Sequence, residues 1–172
     1  AVISDLSPLS GMTQLESLRI RAENYVTDYS PLSGMKHLKE LEMPGNQFQQ
    51  AVDISPLSGL TSLESLRMGC NIHDLEPLRG LTHLKSLDLS DPTSVGGDEF
   101  DSLEPLSALT SLTELELRNN YILDLSPLSR LTNLRSLTLS MPQVTDITPL
   151  LGLPNLENGE VNGEKITGGT IR

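Results

Sequence analysis

The chain is expected to fold as a right-handed α/β solenoid. In such a horseshoe, short parallel strands line the concave side and tight 3₁₀ or helical turns line the convex side. Three observations predict it. A proline-leucine pair recurs seven times, at Pro8, Pro31, Pro56, Pro77, Pro105, Pro127 and Pro149, with spacings of 23, 25, 21, 28, 22 and 22 residues. Each pair is followed by apolar residues in the order L-x-x-L-x-L, as in Leu63, Leu66 and Met68, then Leu84, Leu87 and Leu89. The copies occupy nearly all of the 172 residues, which leaves little chain for a catalytic domain. Units of this length bury their apolar faces against their neighbours, so the array needs no single globular core.

Each element of the repeat has its own reason. Counting from the first leucine of the motif, positions 1, 4 and 6 are apolar, and the alternation over 4 to 6 has the period of a strand. Position 9 is asparagine at Asn46, Asn71 and Asn120, where a buried amide can bond the backbone of the following turn. Glu23, Pro92, Pro142 and Glu164 replace it elsewhere, so the asparagine ladder is broken. Two further apolar columns follow. One holds Ile3, Val26, Ile72, Phe100, Ile122 and Val144; the other holds Leu6, Tyr29, Ile54, Leu75, Leu103, Leu125 and Ile147. The Ser-Pro-Leu segments, as at Ser55-Pro56-Leu57, read as a serine N-cap with proline at the first helical position. Seven residues separate that proline from the next strand motif, room for one 3₁₀ or α turn. Asp5, Asp28, Asp53, Asp74, Asp124 and Asp146 recur once per repeat and are expected to bond turn amides.

Composition narrows the function classes. Net charge is −11, which argues against nucleic acid and against anionic membrane surfaces. The one cysteine, Cys70, excludes an internal disulfide and a disulfide-rich secreted scaffold. A single thiol fits either a cytosol or a bacterial surface. No signal peptide, lipid motif or long apolar run is visible.

The period of 20–29 residues around L-x-x-L-x-L is the leucine-rich repeat signature. The run D-[ILY]-[ST]-P-L-x-x-[LM]-x-x-L, across about residues 1–166, resembles the 22-residue repeats of bacterial internalin-type proteins. The resemblance implies a secreted or surface-anchored protein that binds host or neighbouring proteins on its concave sheet. Residues 1–172 are expected to form one domain of about seven repeats. The chain begins mid-repeat, as expected of a fragment or an uncapped array, and residues 156–172 read as a degenerate closing repeat with Gly159 in place of a leucine. The strand around Leu15–Ile20 is then a bare edge, where edge-mediated self-association is expected.

Positions 3, 5 and 7 should face outward from the strands. Position 5 reads Arg19, Glu42, Arg67, Asp88, Glu116, Thr138, Glu160, and position 2 reads Glu16, Lys39, Glu64, Lys85, Thr113, Arg135, Glu157. Both alternate in sign over the first four repeats, which places opposite charges side by side in an in-register stack. Such a ladder can lock register, or it can be read by a partner. The candidate concave binding residues are Arg19, Arg21, Glu40, Glu42, Arg67, Asp88, Glu114, Glu116 and Arg118. The alternation breaks at Glu114, Glu116 and Arg118, the preferred recognition patch. Tyr25, Phe48 and Tyr121 lie just after strands, as core-edge packing or as rim contacts. Extra residues at 44–52 and 90–102 lie on the same rim, where insertions often mark a binding side.

Other motifs carry less. Gly96-Gly97-Asp98-Glu99-Phe100 spells a diguanylate cyclase signature, but it sits between repeats with Phe100 in a core column. Asp91, Asp98, Glu99 and Asp101 could hold calcium, yet their spacing matches no EF-hand loop. His37 and His83 are about 10 Å apart on the strand spacing, too far to share a metal, and His73 has no specified nucleophile nearby. No catalytic residue, metal or cofactor is expected. The leading function is protein recognition at a bacterial surface or outside the cell, without nucleic acid or membrane insertion. The alternatives are a cytoplasmic adaptor of the phosphatase-regulator type and a structural spacer.

Overall fold

The protein is described by a computed structural model over residues 2–21, 25–43, 51–90, 100–118 and 121–166. Eight strands form one sheet in chain order: β1 (Ser17–Arg19), β2 (Glu40–Met43), β3 (Ser65–Met68), β4 (Ser86–Leu89), β5 (Glu114–Arg118), β6 (Ser136–Ser140), β7 (Asn158–Val161) and β8 (Glu164–Ile166). Neighbours from β1 to β7 are parallel and in register, so that Leu18, Leu41, Leu66, Leu87, Leu115 and Leu137 form one row ending at Gly159. Alternation drives this register, because a slip of one residue would turn every leucine outward. The inward leucines from β2 to β6 are buried, and Leu87 is 1% exposed.

Before each of β1 to β7 the chain makes one tight helical turn. Six are 3₁₀ turns, from Ser7–Leu9 to Ser126–Arg130, and the seventh is a single α turn, α1 (Thr148–Leu151). Proline sits in the first turn of each, where its missing N–H costs nothing.

The capping group differs from the serine expected. The serine lies inside the turn, the residue before it makes no side-chain cap, and the aspartate one residue earlier does the work. Asp5, Asp28, Asp53, Asp74 and Asp124 each accept the backbone N–H two residues on at 2.8 Å. Asp146 does so from Thr148 at 2.9 Å, and in the fifth repeat the Ser102 hydroxyl takes the N–H of Glu104 at 3.1 Å. The reason is reach: a proline at the second turn position leaves one amide to be satisfied, and the carboxylate two residues upstream bends back onto it as an Asx-type turn. These bonds hold Asp28 and Asp124 below the ordinary carboxylate range, first through the serine hydroxyl and then through its amide.

At the far end, in the region read as a degenerate closing repeat, Glu164 opens β8, which folds back antiparallel on β7. Gly159 makes this hairpin fit. A Cβ there would meet Ile166 Cγ1 and lie 2.7 Å from the Ile166 carbonyl oxygen. The turn uses Asn162 and Gly163, both with positive φ. Asn162 also takes up the bridging role expected of position 9. Its side chain accepts the Met141 N–H at 2.7 Å and donates to the Met141 carbonyl at 3.0 Å. Asn71 is buried, while Asn46 and Asn120 lie outside the described residues.

The second repeat fills the first post-strand column with Val52, which bridges to Ile72 and is 7% exposed. Tyr29 and Phe100 are both buried in the core, as their columns require. At the other end β1 is an outer strand, and Ile3, Leu9, Leu15 and Leu18 are only partly buried.

Candidate protein-interaction surface

The outward positions of β1 to β7 make one polar face, because the alternation that buries the leucines turns the intervening residues away from the core. The expected charge ladder forms. In register, Arg19 stands beside Glu42, Glu42 beside Arg67, and Arg67 beside Asp88. Arg67 reaches Asp88 at 3.1 Å and Glu42 at 3.8 Å. The position-2 row pairs as well: Lys39 with Glu16 at 2.9 Å, Lys85 with Glu64 at 2.7 Å, and Arg135 with Glu157 at 2.7 Å. These bonds lower the carboxyls of Glu16 and Glu64, chiefly by hydrogen bonding from Lys39 and Lys85. The groups remain solvated, so their worth is register and solubility more than stability.

Two diagonal contacts were not legible in the sequence. Arg19 turns to Glu40 at 2.7 Å, closer than to Glu42 at 3.8 Å, and Arg21 takes Glu42 at 3.2 Å. The Ser17 hydroxyl adds a bond to Glu40 at 3.0 Å. The Glu40 carboxyl is lowered by Arg19 first and Ser17 second. Arg19, Arg21, Glu40, Glu42, Arg67 and Asp88 thus form one connected network, lining an open depression of about 390 Å³.

The network stops at β5. Glu116 faces Asp88 across the β4–β5 pair, two carboxylates side by side. Ser90 lies between them, its hydroxyl 2.7 Å from Asp88 and 2.8 Å from Glu116. Among the described residues Glu114 meets only the Ser86 hydroxyl, at 3.2 Å. Among the described residues neither glutamate, nor Arg118, has an ion pair. Beyond β5, Tyr121 and Leu123 are 55% and 66% exposed on either side of the buried Ile122, and Tyr25 is 40% exposed. Tyr25 and Tyr121 are thus exposed at the positions expected to lie on the rim. Phe48 lies outside the described residues, as do most of the two insertions, the carboxylates Asp91, Asp98 and Glu99, and the glycines of the cyclase-like motif.

The loops leading into the strands carry a second ladder not anticipated from the sequence. Residues just before position 1 bond the preceding repeat's loop carbonyls: Ser62 to Lys36, His83 to Thr61, Asn133 to Thr110 and Asn155 to Thr132. Its signal was the steady polarity of that column. Among the described residues no group of three or more His, Cys, Asp or Glu side chains is placed to hold a metal, and no helix is long and apolar enough to cross a membrane.

A family model for leucine-rich repeats, in two copies, matches residues 110–152. Internalin C2 of Listeria monocytogenes superimposes with a TM-score of 0.79 at 32% identity, over 92% of this chain and 66% of that one. Internalin F of the same organism gives 0.73 at 27% identity, over 91% and 50%. The chain has a leucine-rich repeat fold similar to that of the bacterial internalins. This internalin-type array spans less than two thirds of either relative. The Arabidopsis receptor kinase HAESA, solved with the peptide hormone IDA and the co-receptor SERK1, matches at 25% identity with a TM-score of 0.63, over 81% of this chain and 24% of that one. No curated protein sequence matches the chain significantly. The internalin-type fold and its neighbours make the array a protein-interaction module.

Proposed function

We propose that this internalin-type array is the recognition module of a secreted or cell-surface bacterial protein, and that it binds its partner on the outer face of the sheet and the adjoining rim. One observation carries the reading. The uncovered face of the sheet is polar and charge-paired from β1 to β4, and the pairing ends at β5 beside exposed rim side chains. A face serving only register and solubility has no need of that break. The surface location rests on likeness to the two internalins. The mode of action is binding, since the repeats devote their residues to stacking and to outward polar display.

The test is affinity capture from host and bacterial extracts, with a folded Glu114→Lys/Glu116→Lys variant as control. A protein held by the native chain and released by the variant supports the reading. A partner held equally by variants across the whole outer face moves recognition off the sheet, and a chain that captures nothing specific favours a spacer.

A second copy pairing along β1 is a separate proposal. It is supported by the partly exposed Leu15 and Leu18, whose equivalents Leu38 and Leu41 are at most 1% exposed. Light scattering that finds a monomer at high concentration removes it.

A further inference from the structure

Three features of one place, the β4–β5 surface and its rim, point to the chemistry of a partner. The first is electrostatic. Asp88 and Glu116 are register partners on adjacent strands, and like charges directly opposite one another destabilise a sheet. Everywhere earlier on this face the same position brings opposite charges together. The second is a shortage of donors. A serine hydroxyl has one proton to give, and Ser90 lies within hydrogen-bond distance of both carboxylates. Asp88 has Arg67 and the Ser90 N–H besides, so Glu116 depends on the hydroxyl alone among the described residues. Glu114, two residues back on the same side of β5, has among the described residues only the longer contact to Ser86. The third is apolar. Tyr121 and Leu123 hold large exposed side chains just past the end of β5. Exposed aromatic and aliphatic groups beside a polar face are common interface anchors.

We propose that this surface receives an extended basic segment of a protein partner, with lysine or arginine side chains on Glu114 and Glu116 and an apolar residue against Tyr121 and Leu123. The proposal rests on the outer-face reading above and names its partner chemistry. Two carboxylates on alternate residues of one strand lie about 6.6 Å apart along it. That spacing matches alternate side chains of a peptide in extended conformation. A cation placed there offsets what like-charge opposition remains between Asp88 and Glu116. An acidic segment would deepen it.

The probe is a peptide of sequence Lys-Ser-Lys-Gly-Ser-Leu, titrated into the isotopically labelled protein and followed by amide chemical shifts. Controls are Glu-Ser-Glu-Gly-Ser-Leu and Lys-Ser-Lys-Gly-Ser-Ser. Expected are shifts centred on Ser90, Glu114, Glu116 and Tyr121 with the basic peptide, none with the acidic one, and weaker binding without the leucine. Glu114→Gln/Glu116→Gln, which keeps shape and removes charge, should weaken binding about three- to tenfold at low salt and reduce its salt dependence. Absent shifts, shifts centred elsewhere, or unchanged binding by the glutamine variant would each overturn the proposal. A captured partner that docks on the sheet yet binds the glutamine variant normally would refute the basic-segment chemistry and leave the outer-face reading standing.

Discussion

Restoring the repeat's own consensus at Gly159 should harm the protein. Position 4 is leucine in the six preceding copies, so the repeat pattern taken alone recommends Gly159→Leu. The fold forbids it, because the space above Gly159 is taken by Ile166 of β8. A new Cβ would stand 2.7 Å from the Ile166 carbonyl oxygen and 3.1 Å from Ile166 Cδ1. The nearest obstacle includes backbone, which cannot swing aside as a flexible side chain can. Overpacking of this kind costs about 1–3 kcal/mol, which for a chain of this size lowers Tm by about 2–12 °C. The relief open to the protein is detachment of β8. Far-UV circular dichroism would report the melting shift, and hydrogen exchange would report the Glu164–Ile166 amides. Loss of their protection, with β2 to β6 unaffected, is the expected result. Gly159→Leu combined with removal of residues 164–172 should recover part of the loss, because the leucine then has room. A Gly159→Leu variant that melts higher than the native chain with β8 still protected would refute the reasoning.

Other outcomes follow from the same structure. Leu87→Ala, in the middle of the array, should cost about 2–5 kcal/mol in urea unfolding, and Leu18→Ala on the outer strand should cost less. The caps Asp5, Asp28, Asp53, Asp124 and Asp146 have folded pKa values below the ordinary carboxyl value of 3.8, so their contribution is fully present above that pH and is lost as pH falls through the lower folded values. Melting temperature should therefore drop steeply below about pH 4, and an Asp28→Asn/Asp124→Asn variant should show a shallower drop. Arg67→Ala uncouples Glu42 from Asp88 and should lower Tm at low salt, with the difference from the native chain shrinking in concentrated NaCl. Asn162→Ala removes both bonds to Met141 and should cost about 1–3 kcal/mol, read as faster exchange at β7 and β8.

Much of the molecule was legible because a repeat interacts mainly with its own equivalent in the next copy. Spacing alone then predicts that Arg19, Glu42, Arg67 and Asp88 fall side by side, and that the leucine rows are buried. The break at Glu114 and Glu116 was visible for the same reason, as an interruption of a column. By itself, then, the sequence determined the repeat, the parallel register, the inward and outward columns, and the place where charge pairing ends.

Only the tertiary structure decided the rest. The aspartate column was expected to bond turn amides and does, whereas the absence of a serine cap beside it is a matter of backbone angles that periodicity does not encode. Ser90 is shared by two carboxylates, and Arg19 prefers Glu40 to Glu42, through side-chain rotamers. β8 occurs once and runs antiparallel, so no column of equivalents announced it. Its place was written in a missing side chain at Gly159, whose meaning appears only when Ile166 is seen to fill the gap. Periodic contacts can be counted from a sequence, whereas contacts made once depend on where the chain goes in space.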